Sequence, residues 1–409
     1  MAAGFADFTP FHSLAGGLMM AASLHTLLSK LGLVLGISGF FHLTVSSILN
    51  AAMGKKHNSS TVSLAPAPIF PIVAQYFTTG ILLGGAVLGL ARPQIETGLG
   101  VPIFDAVSAT KQTSFLSVAV FGGLVGFGTK LGSGCTSGHF LCGLSRLSVR
   151  SIVATATFFG VAVLSHVSLL NEADIRVSAV KYSTASHFPV RLPQPGFGTL
   201  LALQAPALFY RIVPELLDVT DPLASSEKKK ASQLFAAKII AFAVGVHFSF
   251  ALGVSGMMRP SKVLGFLKLT PRLVSAGAWD PSLAMVAIGG IIPASIAYFR
   301  HVKPKQDKLL NSANKRTDES NARFRPALSA VAPEWGTPAN PFKIDAKLVI
   351  GSILFGLGWG ATGLCPGPAL ASLASLGTEA IAKGSLSSVS ELLVFVAAMA
   401  AGGQVASKL

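Results

Sequence analysis

The stretch Gly126–Arg150, GFGTKLGSGCTSGHFLCGLSRLSVR, guides the interpretation of the whole chain. It joins an apolar run to a glycine-rich break, a cysteine and a short segment that can form a helix. A second stretch, Gly356–Leu370 (GLGWGATGLCPGPAL), aligns with its first part without gaps and pairs Cys135 with Cys365. Two cysteines at matching places in two halves of one chain predict one shared site.

The composition is that of a polytopic membrane protein. Of 409 residues, 51% are hydrophobic and 12% are charged, whereas soluble proteins average about 25% charged residues. The mean hydropathy is +0.61, and the apolar runs are long enough for transmembrane helices. The basic residues behind the net charge of +15 lie between the apolar runs, which favours membrane topology over nucleic-acid binding. We expect no cleavable signal at Met1–Pro10 and no disulfide framework from three cysteines.

The apolar runs follow the same order in two parts of the chain. Each part has a span, a Gly-x-Ser-Gly break, two spans, a cysteine break and a closing span; the first kind of break is Gly36–Gly39 or Gly253–Gly256. Such an internal repeat is a common basis of transporter folds. We therefore expect an all-α polytopic membrane protein with about nine transmembrane helices, four re-entrant half-helices and an inverted internal repeat.

The expected domain boundaries follow from this order. The first repeat is 1–170, a linker is 171–231, and the second repeat is 232–409, which contains a basic, mobile loop at Arg300–Phe342. Within the linker, Pro195–Leu217 is long enough to cross a bilayer of about 30 Å and would be the ninth crossing.

Breaks inside apolar spans indicate a polar centre. Lipid cannot satisfy backbone groups that leave the helix, so such backbone must be buried in protein or line a cavity. A half-helix that begins there directs free N–H groups and a positive dipole end at the centre, which favours an anion. Alternatively, the glycines only let helices pack closely, but this does not explain the paired cysteines.

The predicted binding residues surround these breaks. A thiol is soft and polarizable, so it suits a sulfur atom better than a hard oxygen. Alternatively, each cysteine is a small buried hydrophobic residue. The predicted set is Gly134, Cys135, Thr136, Ser137, His139 and Cys142 in the first cysteine segment, Gly363, Cys365, Pro366 and Gly367 in the second, and Ser38 and Ser255 in the Gly-x-Ser-Gly breaks.

Two further patterns contain side chains that could bind an ion. Cys135, His139 and Cys142 have i, i+4, i+7 spacing that could bind zinc, but Cys365 has no histidine near it in sequence, so we predict no metal and no cofactor. Arg259 and Lys262 follow the second Gly-x-Ser-Gly break. They either attract an anion or extend their charged ends to the membrane interface.

These motifs resemble those of the YeeE/YedE family of sulfur-compound transporters, which includes thiosulfate importers. The resemblance covers both halves, fused in one chain, apart from the loops Asn171–Pro195 and Arg300–Phe342 and the segment Pro195–Leu217. It implies that a thiosulfate-type ion passes between Cys135, Cys142 and Cys365 without covalent turnover. Besides the two cysteine stretches, the matching segments are FTPFHSLAGGLMMAASLH (Phe8–His25), SGMMRPSKVLGFL (Ser255–Leu267) and WDPSLA (Trp279–Ala284).

We therefore predict a transporter or channel for a small sulfur-containing anion, with thiosulfate as the first candidate. The alternative is a membrane thiol enzyme that moves sulfur or electrons through Cys135 and Cys365, although such enzymes usually show a CxxC pair or an activating base. The Lys and Arg distribution predicts a cytoplasmic C-terminus, in a plasma or inner membrane. The expected partners are the anion and the lipid bilayer, with no nucleic acid; a cytosolic sulfur-accepting protein stays open.

Overall fold

The computed structural model describes residues 8–54, 69–105, 114–170, 192–193, 196–217, 226–275, 278–312, 322–337, 342–384 and 387–409. These residues form an all-α structure and contain no β-strand. The predicted all-α, polytopic fold class is confirmed. Parts of the predicted linker and of the predicted basic loop lie outside the described residues.

The helices of the first part include one of an unusual kind. Segment α6 is a π-helix, a rare form with i→i+5 hydrogen bonds that is frequently found at functional sites. The sequence predicted only a short helix there. The bounds are α1 Pro10–Leu31, α2 Ile37–Ala52, α3 Phe70–Leu90, α4 Arg92–Leu99, α5 Phe115–Leu131, α6 Thr136–Gly143 and α7 Val149–Ser168.

The predicted crossing at Pro195–Leu217 is not one helix. The chain forms α8 (Phe197–Ala202), turns, and begins α9 (Pro206–Leu217) at a proline, which fits the first turn of a helix but not its interior. Among the described residues, seven helical segments are long and apolar enough to cross a membrane, or eight if the bent pair α5–α6 counts as one span. The count is thus lower than the nine that the sequence predicted.

The second part repeats the order of long helices and short helices. A π-helical turn, Tyr298–Val302, joins α13 to α14, so the predicted basic loop begins as a helix. The bounds are α10 Ser226–Ser255, α11 Pro260–Leu267, α12 Pro271–Ser275, α13 Ser282–Ala297, α14 Lys303–Ser312, α15 Ala346–Thr362, α16 Pro366–Lys383 and α17 Ser387–Ala406.

A later piece of that predicted mobile loop packs against the end of α1. The Leu328 N–H donates to the Lys30 carbonyl (2.9 Å), and the Gly336 N–H donates to the Gly32 carbonyl (2.7 Å). Leu328 and Val331 are buried. The prediction of mobility does not fit this piece, because its apolar side chains give it a buried face despite its polar composition.

The helices pack in matched pairs across the two parts. Helix α1 lies against α13 while α10 lies against α3, and α5 lies against α17 while α15 lies against α7. Two central pairs, α1 with α10 and α5 with α15, join helices that hold the same place in each part. Glycines permit these close contacts: a Cβ on Gly126 of α5 would overlap the Met399 carbonyl of α17.

The first central pair is antiparallel. Ser13, near the start of α1, donates a hydrogen bond to the carbonyl of Ser255 at the end of α10 (3.0 Å). Three residues further along α1, Gly16 reaches back to Ala251 of α10.

The second central pair is also antiparallel. Gly132, just after α5, lies against Gly351 near the start of α15, whereas Phe121 lies against Gly358 near its end. In each central pair, a helix of the first part packs antiparallel against the equivalent helix of the second part. A two-fold axis perpendicular to both helices relates the members of such a pair. For helices that cross a membrane, that axis lies in the membrane plane, as an inverted repeat predicts.

The two Gly-x-Ser-Gly motifs do not hold equivalent positions. Gly36–Gly39 begins α2, with Gly36 as its N-cap residue, whereas Gly253–Gly256 covers the end of α10 and the residue after it. The left-handed residue after α10 is Gly256 (φ 81°), and its counterpart after α1 is Gly32 (φ 67°). The predicted pairing of these two breaks is therefore out of register, because glycine serves both at the start and at the end of a helix.

Candidate functional site

The two cysteine breaks have the same backbone plan. Cys135 is the N-cap residue of α6 and Cys365 that of α16, and both are extended. Two residues earlier the chain takes the left-handed conformation, at Ser133 (φ 59°) and at Gly363 (φ 71°). Glycine adopts this conformation easily, whereas serine does so rarely. The same turn is thus built from different residues in the two parts.

Both breaks open onto one small central cavity. Its lining includes Cys135, Thr136 and Ser137 from the first part, and Cys365 and Gly367 from the second. Its volume is about 30 Å³, which is room for one or two water molecules. The conformation is therefore closed to an ion of several heavy atoms.

Hydroxyl groups connect the two sulfurs to three helices. The Thr136 hydroxyl donates to Cys365 Sγ across 3.5 Å, and Cys135 Sγ lies 3.3 Å from Ser137 Oγ. Ser137 Oγ in turn accepts a hydrogen bond from the Ile37 N–H (3.1 Å). These contacts tie the first turns of α2 and α6 to the cysteine that precedes α16.

The N-termini of three half-helices give the cavity its electrostatic character. Helices α2, α6 and α16 begin there, and none has a side-chain hydrogen bond at its N-cap. Their first N–H groups lack intrahelical partners, and each dipole can contribute up to about 2 kcal/mol to binding of a partly buried anion. Apolar side chains complete the lining, among them Met20, Phe248 and Leu252. A low-dielectric wall strengthens these electrostatic terms.

His139 orients the first break rather than facing the cavity. Its Nε2 lies 3.1 Å from the Gly132 carbonyl and its Nδ1 lies 3.1 Å from Ser151 Oγ, so both ring nitrogens have partners. Gly134 packs directly against the ring. The part of the chain that the structure describes holds no group of three or more His, Cys, Asp or Glu residues that could bind a metal ion.

Cys142 is buried, but it is not part of the cavity lining. It lies at the far end of α6. The predicted third cysteine therefore does not share the cavity with the other two.

The remaining predicted residues of the second break shape the start of α16. The Gly363 N–H donates to the Trp359 carbonyl (2.7 Å), and Pro366 occupies the first turn of α16. Gly367 lies against the Ile37 side chain, where a Cβ would clash. This close approach brings the first turns of α2 and α16 together.

The two predicted serines have different surroundings. Ser38, in the first turn of α2, is 1% exposed, and its hydroxyl finds no hydrogen-bond partner among the described residues. The Ser255 hydroxyl donates to the Leu252 carbonyl (3.0 Å), while the Ser255 carbonyl accepts from Ser13. Ser255 therefore joins α10 to α1, whereas the Ser38 hydroxyl is buried in the first turn of α2 without a partner in the described part of the chain.

The N-terminus of the fourth half-helix, α11, contacts Asp105, a residue that the sequence analysis did not single out. Arg259 and Lys262 are buried instead of extending to the surface. Arg259 Nε donates to Asp105 Oδ1 (3.1 Å), and the Ser261 N–H donates to Asp105 Oδ2 (2.8 Å). Asp105 follows α4 in the other part of the chain, so no local pattern links it to Arg259.

Comparisons with known proteins place the chain among membrane transporters. Two proteins of Xylella fastidiosa strain Temecula1, each named "Probable transporter", are 34% identical to it. One match spans 166 residues, which is 40% of this chain and 83% of that protein; the other spans 149 residues, 36% of this chain and 86% of that protein. The chain belongs to the family of these transporters. It is thus an integral, multi-pass membrane protein of a transporter family.

A family model matches the second part of the chain. Residues 236–409 match a family of unknown function, DUF6691. No solved structure matches the chain. Because 166 residues are 83% of the first relative but 40% of this chain, this member of the transporter family is roughly twice as long as that relative.

Proposed function

We propose that the chain transports a small sulfur-containing anion of the thiosulfate class through the cavity between Cys135 and Cys365. The observation that carries this proposal is the meeting of three half-helix N-termini around two buried thiols. An oxyanion with a terminal sulfur has a charge that helix N-termini stabilise and a soft atom that suits a thiol.

The donors at the cavity replace water around the anion. Burying a charge without such partners is very unfavourable, and neutral thiols are weak donors. The helix N-termini therefore supply most of the attraction, with the hydroxyls of Thr136 and Ser137 and that of Ser38 as further donors. Cys135 and Cys365 supply selectivity for sulfur, and the ion passes from one to the other without forming a covalent bond.

Passage requires the closed cavity to widen. The hydrogen bond from Thr136 to Cys365 joins the two parts of the chain across the cavity, so it has to break when the parts separate. Rocking of two inverted repeats about a central site is the usual way in which such transporters alternate their access. In this proposal, the Thr136–Cys365 hydrogen bond joins the two repeats across the cavity in the closed state.

The proposal extends to the architecture and its surroundings. It takes 1–170 and 232–409 as the two repeats of a fused YeeE/YedE-type transporter with 171–231 as the linker, in a plasma or inner membrane with a cytoplasmic C-terminus. The reciprocal, antiparallel packing supports the inverted repeat. Matches to transporters of about half the length support the fusion. A sulfur-accepting protein in the cytosol would be the partner that receives the ion.

The contacts of the thiols favour transport over thiol enzymology. Cys365 Sγ accepts from a threonine hydroxyl and Cys135 Sγ lies beside a serine hydroxyl. A reactive cysteine usually has a cation, a histidine or another activating group beside it. Hydroxyl neighbours in a buried site favour the neutral thiols that the proposed binding role uses.

The test is anion flux into liposomes that contain the purified full chain. We expect saturable uptake of radiolabelled thiosulfate, faster than uptake of sulfate or sulfite and absent from protein-free liposomes. Equal rates for the three ions, or no uptake, would contradict the proposal. Mass spectrometry of the same samples checks for a persulfide on Cys135 or Cys365, which would indicate the enzyme instead.

A further inference from the structure

The N-terminus of α11 differs from the other three half-helix starts because a carboxylate of the chain already occupies it. Asp105 accepts hydrogen bonds from Arg259 Nε (3.1 Å), from the Ser261 N–H (2.8 Å) and from the Ser261 hydroxyl. The side chains of Asp105 and Arg259 are only 13% and 8% exposed. Charge-assisted contacts of this kind are the strongest that an oxyanion makes with a protein.

A second buried cation stands beside this contact. Lys262 Nζ lies 3.4 Å from Asp280 Oδ2, and the lysine side chain is 2% exposed. Its methylene groups run along Gly256, where a Cβ would collide with them. Two cations are thus fixed in the first turn of α11. Ionisable groups buried in membrane proteins commonly mark the path of an ion.

This cluster adjoins the second cysteine break. Gly363, two residues before Cys365, lies against the backbone of Pro260, the first residue of α11. Met257, three residues before Pro260, is part of the lining of the central cavity. An ion that leaves Cys365 toward α11 therefore meets Arg259 and Ser261 next.

The segment that carries Asp105 is attached at points before that residue. The His12 ring Nε2 lies 2.8 Å from the Leu99 carbonyl, and the Ile103 N–H donates to Glu96 Oε1 (3.0 Å). The Asp105 side chain can thus leave α11 without detachment of those anchors.

We infer that Arg259 and Ser261, with Lys262 beside them, form an anion-binding station next to Cys365, and that Asp105 is its resident anion. The inference rests on the proposed function and adds a second binding position to it. A small dianionic or monoanionic oxyanion binds when it displaces the carboxylate, since it offers the same acceptor oxygens to the same donors. Exchange of one anion for another keeps the buried arginine neutralised throughout, so the station resists ions that cannot accept these hydrogen bonds.

A purely structural ion pair predicts the opposite outcome of one substitution. If Asp105 only stabilises the fold, Asp105→Asn weakens both stability and anion binding. If Asp105 competes with the anion, Asp105→Asn tightens anion binding, because the asparagine carries no competing charge.

The experiment measures binding of thiosulfate and, separately, of sulfate to the purified full chain by isothermal titration. For Asp105→Asn we expect Kd to fall on the order of tenfold, as the competent fraction of the station rises. For Arg259→Gln we expect Kd to rise by a similar factor. The matched control is Asp307→Asn, which removes one negative charge from an exposed ion pair with Lys303 (3.1 Å) outside the station. It should leave Kd unchanged.

A second measurement does not depend on the folding of Asp105→Asn. In Ser261→Cys, a charged thiosulfonate reagent should label the introduced thiol severalfold more slowly when thiosulfate or sulfate is bound; the unsubstituted chain gives the background. Unchanged labelling together with unchanged or weaker binding by Asp105→Asn overturns the station. Binding of sulfate but not thiosulfate, with the same response to Asp105→Asn, supports the station and contradicts the proposed substrate. If no variant binds either anion, the station is overturned as well.

Discussion

The two pairs of half-helices differ in how closely their members correspond. Helices α6 and α16 both begin at a cysteine, and neither has a side-chain cap. Helices α2 and α11 begin differently: α2 starts at Gly36 beside the cavity, whereas α11 starts at Arg259 with its N–H groups turned to Asp105. The matched pair places one thiol from each part at the centre, although the hydroxyls beside the thiols come from α6 alone. The unmatched pair makes the two approaches to that centre different.

The difference shows that two repeats can keep matching cysteines at a central cavity while the helices next to those cysteines begin in different ways. At α2 the first turn carries a buried hydroxyl, Ser38, without a partner among the described residues. At α11 a carboxylate already satisfies the corresponding helix end. Under the proposed transport and the inferred station, an anion meets the uncapped N-terminus of α2 on one side and exchanges with Asp105 on the other. Four sets of substitutions, each with its own counterpart variant, test this comparison.

The largest effect is expected at the matched pair. Cys135→Ser and Cys365→Ser keep a hydroxyl of similar shape but replace a soft sulfur with a hard oxygen, so each should lower thiosulfate flux at least about tenfold, which corresponds to about 1.4 kcal/mol. Liposome flux at equal protein incorporation measures this. Cys142→Ser is the control, because Cys142 is not in the cavity lining. Wild-type flux in both single variants would show that Cys135 and Cys365 only pack in the core and do not select the ion.

The next effect concerns the contact between the two parts. Gly126→Ala places a methyl group against the Met399 carbonyl and should destabilise the protein by about 1–3 kcal/mol, as overpacking does. Gly123→Ala, on the same helix, finds its nearest neighbour 4.0 Å away and should be neutral or slightly stabilising. Denaturation in detergent measures both. Equal stability of the two variants would mean that the parts need not approach so closely.

A smaller effect separates the two Gly-x-Ser-Gly motifs. Ser38→Ala removes a buried hydroxyl that has no partner in the described structure, so stability should not fall, while flux should drop about fivefold for a lost hydrogen bond of about 1 kcal/mol. Ser255→Ala removes the bond to the Leu252 carbonyl and should mainly lower stability, by about 0.5–1 kcal/mol. Thermal unfolding and flux on the same preparations compare them. If instead Ser38→Ala lowered stability and Ser255→Ala lowered flux, the structural difference between the two Gly-x-Ser-Gly motifs would be contradicted.

The smallest effect is at the N-caps of α5 and α15. The Asp345 carboxylate accepts from the Leu348 N–H (2.8 Å), and this hydrogen bond holds the pKa of Asp345 below its usual value. Asp345→Ala should cost about 0.5–1 kcal/mol at neutral pH. Because the folded pKa is the lower one, this contribution is fully present above the unfolded pKa and is lost as pH falls through the folded pKa.

The counterpart cap does not titrate. The Ser114 hydroxyl accepts from the Ser117 N–H at the start of α5 (3.2 Å). Ser114→Ala should therefore cost a similar or smaller amount at every pH. Unfolding midpoints at neutral pH and at a pH below the ordinary aspartate pKa of about 3.9, compared with the unsubstituted chain, distinguish the two. A cost of Asp345→Ala that does not shrink in acid would contradict the assignment.

Several features were predictable because their causes are local. The length of an apolar run determines whether a helix can cross a membrane, and glycine and proline mark where helices end. The cysteine breaks could be paired from sequence because their motif is long and gapless, and Cys135 and Cys365 do begin equivalent helices. The shorter Gly-x-Ser-Gly pattern misled, since four residues fit two different helix positions.

Other features depended on contacts between distant residues. Thr136 and Cys365 are 229 positions apart, and Asp105 and Arg259 are 154 apart. Helix propensity and spacing do not encode which side chains meet across such distances; the packing of whole helices decides it. The sequence by itself thus determined the helices, the breaks and the paired cysteines. Only the tertiary structure decided that three half-helix ends face the cavity while the fourth holds Asp105, because that choice depends on how the two parts pack together.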